Sequence, residues 1–395
     1  MSRSIFLLGA GASVEANLPT ASELTACALS HFDAQSNAKR SLAARFDSDM
    51  GRHLRAVIGP MQAFEALHGD GTLGLPNIEA VVSAVELLSS PSSVELTPFV
   101  QLWDPAVHAI QGRYSRVSTY GMLADTSSQE HLSLFDKAEG GSRGEYFGRL
   151  HDALLTFMKS ALALPAGQEL QYLQPLVQLR DADRTGPMIA TLNYDLTLER
   201  AAEQIGVPWS HGLSTWLRSG RPEWPNGHLR IVKLHGSLDW AEEFVPAAEG
   251  RLGKWSWAAG DANDIHTPPF IVFGQREKLR PNGPFLALRA AFEAELYESK
   301  QLVVIGYSFG DEHMNSIIER WIDANVEHRL IVVDPHWAAT QLRSPFAAAL
   351  EKLRAGVAAE SAGRIVVMQI PAGAAIHRIS TPTAQAVGPS TNADQ

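Results

Sequence analysis

Two polar side chains that could act on a bound ligand follow a short apolar run in the segment Thr191-Leu192-Asn193-Tyr194-Asp195. Asn193 offers both hydrogen-bond donors and an acceptor, and Asp195 offers a carboxylate. Such groups could orient a water molecule and stabilise positive charge that develops in a reacting ligand. Both residue types are also favoured at helix N-caps, so on local sequence alone capping of the next helix is the favoured interpretation.

A histidine occupies a similar position after another apolar run, in Lys233-Leu234-His235-Gly236-Ser237. A histidine beside glycine at the end of a strand can face a cleft and act as a general base. The alternative is a ring that bonds the backbone at a loop entrance, which must hold for most of the 14 histidines of the chain.

Glycines follow the first apolar run, in Gly9-Ala10-Gly11-Ala12-Ser13. Glycine there allows a tight turn and the close approach of a pyrophosphate to backbone N–H groups at a helix N-terminus. Val14 stands where a dinucleotide-binding fingerprint carries its third glycine, and no acidic residue ends a second strand about 20 residues later. An ordinary turn between strand and helix therefore remains the alternative.

A fourth motif, Gly306-Tyr307-Ser308-Phe309-Gly310-Asp311, precedes a helical pattern, and Asp334 ends the next apolar run. A hydroxyl and an acid in these places suit a ribose or an adenine group, although Asp311 could simply cap a helix. The same motif fits the nucleophile elbow of α/β-hydrolases, in which Ser308 would be the nucleophile and Asp334 and His377 would complete a triad. Against this, Asp334 ends the very next strand, and the elbow leaves the glycine turn and the first histidine motif unexplained.

Short apolar runs alternate with helical patterns along the chain, and these elements would position the motifs. The runs that favour buried strands are residues 5–8, 188–192, 229–234, 270–273, 302–305, 330–333 and 365–368. Helical patterns cover residues 196–205, 284–297, 314–324 and 336–353. This alternation predicts an α/β fold with a Rossmann-like, doubly wound, mostly parallel sheet, in which ligands bind at the carboxyl ends of the strands.

The chain between residues 36 and 180 has helical spacing and no clear strand, which predicts a large helical insertion between the first two strands. Residues 1–35 and 181–375 are assigned to the sheet domain, and the polar residues 376–395 to a disordered tail. Thr20 and Glu23 have the spacing of a capping box. Cys27, in the helix that follows, is expected to be a buried, inert thiol.

The composition of the chain narrows the classes of function. It carries 43 acidic and 33 basic side chains, a formal net charge of −10, which disfavours direct nucleic-acid binding because that depends on neutralising phosphates. A single cysteine leaves no internal disulfide and no cysteine-based zinc site. No apolar stretch approaches the ~18 residues of a transmembrane helix or forms a signal-peptide core, so we expect a soluble, cytoplasmic protein without a membrane partner.

Taken together, the four motifs resemble the sirtuin-like family, and specifically its NADase branch in bacterial anti-phage defence systems, HerA-associated or Thoeris-like. The ordered set spans about residues 4–340 and includes Asn77-Ile78-Glu79 and Phe273-Gly274-Gln275 with Lys278-Leu279. The resemblance implies a site for NAD as substrate, with no metal. Asn193 and Asp195 would lie by the nicotinamide ribose, and His235 would be the catalytic histidine. The residues that would bind the rest of NAD are Gly9, Ala10, Gly11, Ser13, Gly306, Ser308 and Asp334, the last two on the adenosine side.

The chain departs from deacylating sirtuins in ways that change the implied activity. Those enzymes carry a four-cysteine zinc module, and they usually show Gln-Asn-Ile-Asp where this chain has Leu192-Asn193-Tyr194-Asp195. The resemblance therefore implies an NAD+ nucleosidase that depletes NAD in defence, restrained by homo-oligomerisation or by a HerA-type ATPase partner. A non-catalytic module that senses NAD or ADP-ribose is an alternative, while the acidic balance and the lack of a carboxylate metal cluster disfavour a nuclease.

Overall fold

The computed structural model describes residues 4–36, 42–68, 74–89, 143–179, 186–245, 254–264, 267–273, 283–356 and 363–380. The chain divides into two compact units. The sheet unit comprises Met1–Asn17, Leu164–Gly236 and Pro281–Gln395, and the helical unit comprises Leu18–Ala163 and Ser237–Arg280. The domain boundaries at residues 35, 180 and 375 stay a prediction beside this division.

Strands and helices alternate along much of the described chain. The strands are β1 (Ser4–Leu8), β2 (Met188–Thr191), β3 (Trp209–Ser210), β4 (Leu229–Lys233), β5 (Trp240–Val245), β6 (Lys254–Ala259), β7 (Gln301–Ile305), β8 (Arg329–Val333) and β9 (Ile365–Met368). The helices are α1 (Ala21–Ser36), α2 (Leu42–His68), α3 (Ile78–Ser89), α4 (Arg143–Ala161), α5 (Gln174–Val177), α6 (Thr197–Gln204), α7 (Trp216–Ser219), α8 (Phe285–Tyr297), α9 (Glu312–Ala324), α10 (Trp337–Arg343), α11 (Pro345–Gly356) and α12 (Ala372–Ser380).

The sheet unit is built on one seven-stranded sheet in the order β3-β4-β2-β1-β7-β8-β9, with every neighbouring pair parallel. Leu8 of β1 is in register with Thr191 of β2 and Ile305 of β7, and Thr191 is in register with Lys233 of β4. All four residues of β2 are buried. Because successive side chains of a strand point to opposite faces, both faces of this strand are covered, which explains its unbroken apolar run. The predicted Rossmann-like α/β fold is confirmed.

The helix predicted over residues 336–353 is two helices, α10 and α11. Pro345 has no backbone N–H and disfavours helical geometry at the residue before it. Ser344 is accordingly extended, with φ −119° and ψ 113°. The chain therefore breaks between the two helices at the proline, which the apolar spacing alone did not reveal.

The end of the sheet unit is helical further along the chain than predicted. Helix α12 reaches Ser380, although the disordered tail was predicted from residue 376. Ala372, Ala375 and Ile376 are buried, and their spacing is that of one helix face. Residues 381–395 lie outside the described residues.

The helical unit contains α1 to α4 and the antiparallel pair β5–β6. Between β1 and β2, the part of the chain that the structure describes is helical and contains no strand, as predicted for the insertion. The pair β5–β6 was not predicted. The strand predicted over residues 270–273 is wrong, since this segment is buried but only Ile271 forms an isolated bridge. A short apolar run reports burial more reliably than it reports strand geometry.

Helix α1 begins with the predicted capping interaction. Thr20 N donates to Glu23 Oε2 at 2.8 Å, and this bond lowers the pKa of the Glu23 carboxyl. The prediction of a buried Cys27 is wrong, because the thiol is exposed and the buried face of α1 carries Leu24 and Ala28. None of the described helices combines the length and the apolar character that a membrane span requires.

The two additional segments that the resemblance included are only partly described. Asn77 caps α3, since its Oδ1 accepts a hydrogen bond from Ala80 N at 2.8 Å. Phe273 is buried, while Gly274, Gln275, Lys278 and Leu279 lie outside the described residues.

Candidate functional site

The switch point of the sheet lies between β1 and β7. Strands β2, β4 and β3 extend from β1 on one side, and β7, β8 and β9 extend on the other. In open parallel sheets a crevice forms beyond the strand ends at this point, because the connecting segments leave in opposite directions. The turn after β1, residues 9–13, and the turn after β7, residues 306–311, both begin at this point. Both motifs therefore lie where a ligand of this fold is expected.

The two turns pack directly against each other, and this packing requires glycine. Gly11 N donates to Gly306 O, and Gly9 N donates to Ile305 O, each at 2.9 Å. A Cβ atom on Gly306 would lie 2.3 Å from Ala12 N, and a Cβ atom on Gly9 would lie 2.7 Å from Gly306 O. Backbone packing on backbone is thus sufficient to explain these glycines, whatever ligand the crevice holds.

The turn after β1 does not lead directly into an α-helix. Residues Ala10–Ala12 and Val14–Ala16 form 3₁₀ turns, and Asn17 is left-handed with φ 58°. Helix α1 begins only at Ala21. No α-helix follows the glycines at once, so the expected helix N-terminus at this turn is wrong, while the role of the turn in binding a pyrophosphate stays a prediction. Ala10 and Gly11 are only half-buried.

Replacing Gly306 by alanine is expected to lower the free energy of unfolding by about 2–3 kcal/mol. Gly306 has φ 65°, which costs an L-residue about 1 kcal/mol, and the new Cβ would also collide with the backbone of Gly11 and Ala12. Gly206 is the matched control, because its φ is 68° and nothing lies within 4 Å of an added Cβ. Urea unfolding of Gly206→Ala should show the conformational cost alone. Equal losses in the two variants would contradict the role of close packing.

Asn193 is held in one orientation by two hydrogen bonds to the turn after β1. Its Nδ2 donates to Gly9 O and to Ser13 Oγ, both at 3.0 Å, and its backbone N donates to Thr191 Oγ1 at 3.0 Å. The flipped amide would set Oδ1 against the carbonyl oxygen of Gly9, which is repulsive. Both N–H groups are therefore used, and Oδ1 remains as an atom that can only accept a hydrogen bond.

The carboxylate of Asp195 is buried, and its hydrogen bonds are internal to the sheet unit. Oδ1 accepts from Thr197 N at 3.0 Å and from Thr197 Oγ1 at 2.6 Å, and Oδ2 accepts from Ser13 Oγ at 2.8 Å. Asp195 therefore orients Ser13, which in turn receives the amide of Asn193. Asp195 binds Thr197, the first residue of α6, although the N-cap position itself is Leu196. Asn193 bonds the glycine turn instead.

A buried ionic cluster stands beside this network. Lys233 Nζ lies 3.2 Å from Glu199 Oε1 and also donates to Asp195 O, and His211 Nε2 lies 2.8 Å from the same Glu199 oxygen. Burial alone would raise the pKa of Glu199, but the charge of Lys233 and the hydrogen bond from His211 outweigh it and lower the pKa to about 2. The cluster fixes the backbone of Asp195, and no motif in the sequence indicated it.

His235 lies two residues beyond β4, as Asn193 lies two residues beyond β2. Thr191 and Lys233 are in register, and neighbouring strands are roughly 4.8 Å apart. The side chains of Asn193 and His235 therefore start from adjacent positions at the carboxyl ends of the strands. The histidine is 4% exposed, and its Nε2 lies 3.0 Å from Asp311 Oδ2. Its Nδ1 is buried and has no hydrogen-bond partner among the residues that the structure describes.

Asp311 reaches His235 because the turn after β7 crosses the strand ends. In the sheet, β1 and β2 lie between β7 and β4, which corresponds to about 14 Å for three strand spacings. The sequence predicted Asp311 only as an N-cap. It does cap α9, since Oδ1 accepts from His313 N at 3.0 Å, but its second oxygen is used by the histidine. The structure thus adds Asp311 to the site.

The remaining predicted residues after β7 and β8 do not form a hydrolase triad. Ser308 is exposed, and no hydrogen bond joins it to a histidine in the described parts of the chain. The left-handed residues of its turn are Gly306 and Phe309, whereas a nucleophile elbow places that strain at the serine. Asp334 accepts from His336 N at 2.7 Å and from Thr340 Oγ1 at 2.5 Å. The adenosine-side roles of Ser308 and Asp334 stay predictions.

Two residues that the sequence analysis missed fix the turn after β1. Tyr172 Oη donates to Ala12 O at 2.9 Å. Burial raises the pKa of Tyr172, and the carboxylates of Asp195 and Glu15 raise it further. Glu15 Oε1 accepts from Gly373 N at 2.7 Å, near the start of α12. Neither residue stands in a recognisable motif, so only the folded chain reveals them.

The described residues contain no group of three or more histidine, cysteine, aspartate or glutamate side chains that could hold a metal ion. The metal-free site implied by the resemblance stays a prediction.

One family model and several solved structures are similar to this chain. Residues 187–355 match the family model of the SIR2-like domain, and no curated protein matches the sequence. Among solved structures, a Sir2 homologue in complex with NAD is similar at 11% identity and TM-score 0.39, over 96% of this chain and 88% of that chain. A Sir2 structure with a p53 peptide and NAD+ is similar at 11% identity and TM-score 0.33, over 95% of this chain and 91% of that chain. The SIR2-like match runs from β2 into α11 and includes Asn193, His235 and Asp311.

Proposed function

We propose that the protein is an NAD hydrolase, which cleaves the bond between nicotinamide and ribose. The observation that carries the proposal is a pair of acceptor atoms, Asn193 Oδ1 and His235 Nδ1, on adjacent strand ends at one edge of the sheet. A water molecule between two acceptors donates both of its protons, which leaves its lone pairs directed at an electrophile. Such a water is suited to attack an anomeric carbon.

The two glycine turns support a dinucleotide as the ligand. They stand at the switch point, where pyrophosphates of dinucleotides bind in folds of this class. Ala10 and Gly11 carry no bulky side chain and are half-buried, so a phosphate could approach their backbone. The match of residues 187–355 to the SIR2-like domain favours NAD among dinucleotides.

In the proposed reaction the C1′–N bond breaks and its electron pair leaves with nicotinamide. The ribose then has oxocarbenium character, and the water oxygen forms a new bond to C1′. His235 Nδ1 accepts the water proton, and the Asp311 carboxylate stabilises the resulting imidazolium. Asp195 acts by orienting Ser13 and Asn193, and its negative charge favours the cationic ribose. The products are nicotinamide, ADP-ribose and a proton.

The cysteine content of the chain favours NAD hydrolysis over protein deacylation. The single cysteine cannot supply a four-cysteine zinc module. We propose that the enzyme acts in the cytoplasm and depletes NAD in anti-phage defence. Restraint before infection would come from homo-oligomerisation or from a HerA-type ATPase partner.

Incubating the purified protein with NAD tests the proposal directly. We expect nicotinamide and ADP-ribose in equal amounts, resolved by chromatography against standards that include cyclic ADP-ribose. The rate is measured over a range of protein concentrations, because an active homo-oligomer gives a rate that rises more steeply than in proportion to concentration. Calorimetric binding of NAD without release of nicotinamide would favour the sensing module instead, and labelling of Ser308 by a fluorophosphonate would favour a serine hydrolase.

A further inference from the structure

We infer that Asp311 is a positioning residue that fixes the tautomer of His235, so that Nε2 carries the proton and Nδ1 is the base. The inference rests on the proposed function, because it assigns the proton-accepting atom of that reaction. Asp311 does not need to touch the substrate for this role, since it acts through the histidine ring.

The two carboxylate oxygens of Asp311 have separate tasks. Oδ1 lies at the start of α9 and accepts from His313 N at 3.0 Å and from Met314 N at 3.4 Å. Oδ2 lies 3.0 Å from His235 Nε2. A carboxylate offers acceptors only, so Nε2 must be the donor, and in a neutral ring Nδ1 is then unprotonated.

The second ring nitrogen of His235, Nδ1, is unusual among buried polar atoms because it lacks a hydrogen-bond partner within the described residues. Buried polar atoms are normally paired. The other nitrogen is anchored to Asp311. An unpartnered acceptor on an anchored ring is the arrangement that a general base requires before its substrate and water arrive.

The turn that carries Asp311 is held by hydrogen bonds to the side chain of Tyr307, within the turn, and from the side chain of Asn315, in α9. Tyr307 Oη accepts from Asp311 N and lies 3.0 Å from Asn315 Oδ1. Asn315 Nδ2 donates to Phe309 O at 2.9 Å, and Phe309 is left-handed with φ 56°. A non-glycine residue in this conformation costs about 1–3 kcal/mol and persists only where its surroundings hold it. The strained turn sets the carboxylate position that the tautomer depends on.

The substitution Asp311→Asn should invert the tautomer of His235. Asn is as good an N-cap as Asp, and its single oxygen is drawn to the two N–H groups at the start of α9. The amide NH₂ would then face His235 Nε2, which must become the acceptor, and the ring proton would move to Nδ1. The proposed base would be lost although the variant is nearly isosteric.

The decisive comparison is Asp311→Asn against Asp311→Ser. Serine also caps a helix, but it is too short to reach His235, so the ring can adopt either tautomer. With saturating NAD, we expect Asp311→Asn to lower kcat by about 10²- to 10⁴-fold, and Asp311→Ser to remain at least about 10-fold faster than Asp311→Asn. A purely structural role predicts the opposite order, because asparagine preserves more of the native contacts.

The tautomer of His235 can also be measured by NMR, independently of catalytic activity. In protein labelled with ¹⁵N-histidine, the ring signals of His235, assigned by their absence in His235→Gln, should show a protonated Nε2 in the natural protein and a protonated Nδ1 in Asp311→Asn. Protonated Nδ1 in the natural protein, or Asp311→Ser no faster than Asp311→Asn, overturns the inference. If the natural protein hydrolyses no NAD, the proposed function fails, and the ¹⁵N spectra alone decide the tautomer.

Discussion

Replacing His235 by alanine is expected to lower the rate of NAD hydrolysis by about 10²- to 10⁴-fold, the contribution of a positioned general base. The ring is buried and is anchored on one side by Asp311, so the substitution removes the proposed base together with its anchor. NAD binding should persist within a few-fold by calorimetry, because the glycine turns keep their mutual bonds. Activity and binding therefore separate in this variant.

Asn193→Ala should lose a similar share of activity, together with some stability. The amide donates to Gly9 O and Ser13 Oγ, and the loss of these two buried hydrogen bonds costs about 1–3 kcal/mol. His228→Ala is the matched control for His235→Ala. His228 lies outside the proposed site, and its Nδ1 lies 3.3 Å from Asn226 O. Full activity in both purified site variants would reject the assignment of His235 and Asn193.

Six of the seven strands of the sheet were predictable because they are short apolar runs, whereas β3, a half-buried pair of residues, was not predicted. Residues 302–305 and 330–333 were predicted and correspond to β7 and β8 within one residue. The same rule failed over residues 270–273, which are buried without forming a strand. A hydrophobic pattern predicts that a segment is buried, but a strand forms only where a neighbouring strand is available for pairing.

The strand ends also made the approximate location of the site predictable, but not the bonds within it. Parallel strands end at one edge, so Asn193 and His235 were expected together. The bond between His235 and Asp311 joins two segments that are far apart in the sequence. Asp311 stands just before a helical pattern, as an N-cap does, and it does cap α9. One carboxylate performs two tasks, and a local pattern displays only the local one.

The glycine motif illustrates the opposite difficulty. Its spacing predicted close approach of a phosphate, and the structure shows close approach of another turn of the same chain. Both causes exclude a Cβ atom, so the residue type cannot distinguish them. A glycine identifies a crowded backbone, and coordinates are needed to show what crowds it.

Removing the charge of Lys233 is expected to have the largest effect on stability. Lys233 and Glu199 are 1% and 2% exposed, and breaking such a buried pair from one side costs about 3–5 kcal/mol, because the other charge stays buried without its partner. Lys233→Met and Glu199→Gln should each lower the free energy of unfolding in urea by that amount. The double variant Lys233→Met with Glu199→Leu should be more stable than either single variant, because it leaves neither charge buried.

Acid unfolding provides an independent check on the pair. The pKa of Glu199 is lowered from 4.5 to about 2 in the folded protein, so the folded state holds its carboxylate ionised where the unfolded state takes up a proton. The stabilisation is complete above the ordinary pKa and is lost as the pH falls from about 4.5 towards 2. In Lys233→Met the largest cause that lowers the pKa of Glu199 is gone, and burial, which raises it, is opposed only by His211 and a backbone hydrogen bond. The loss of stability should then begin at a higher pH than in the natural protein, and an unchanged acid transition would show that Lys233 does not hold the Glu199 charge.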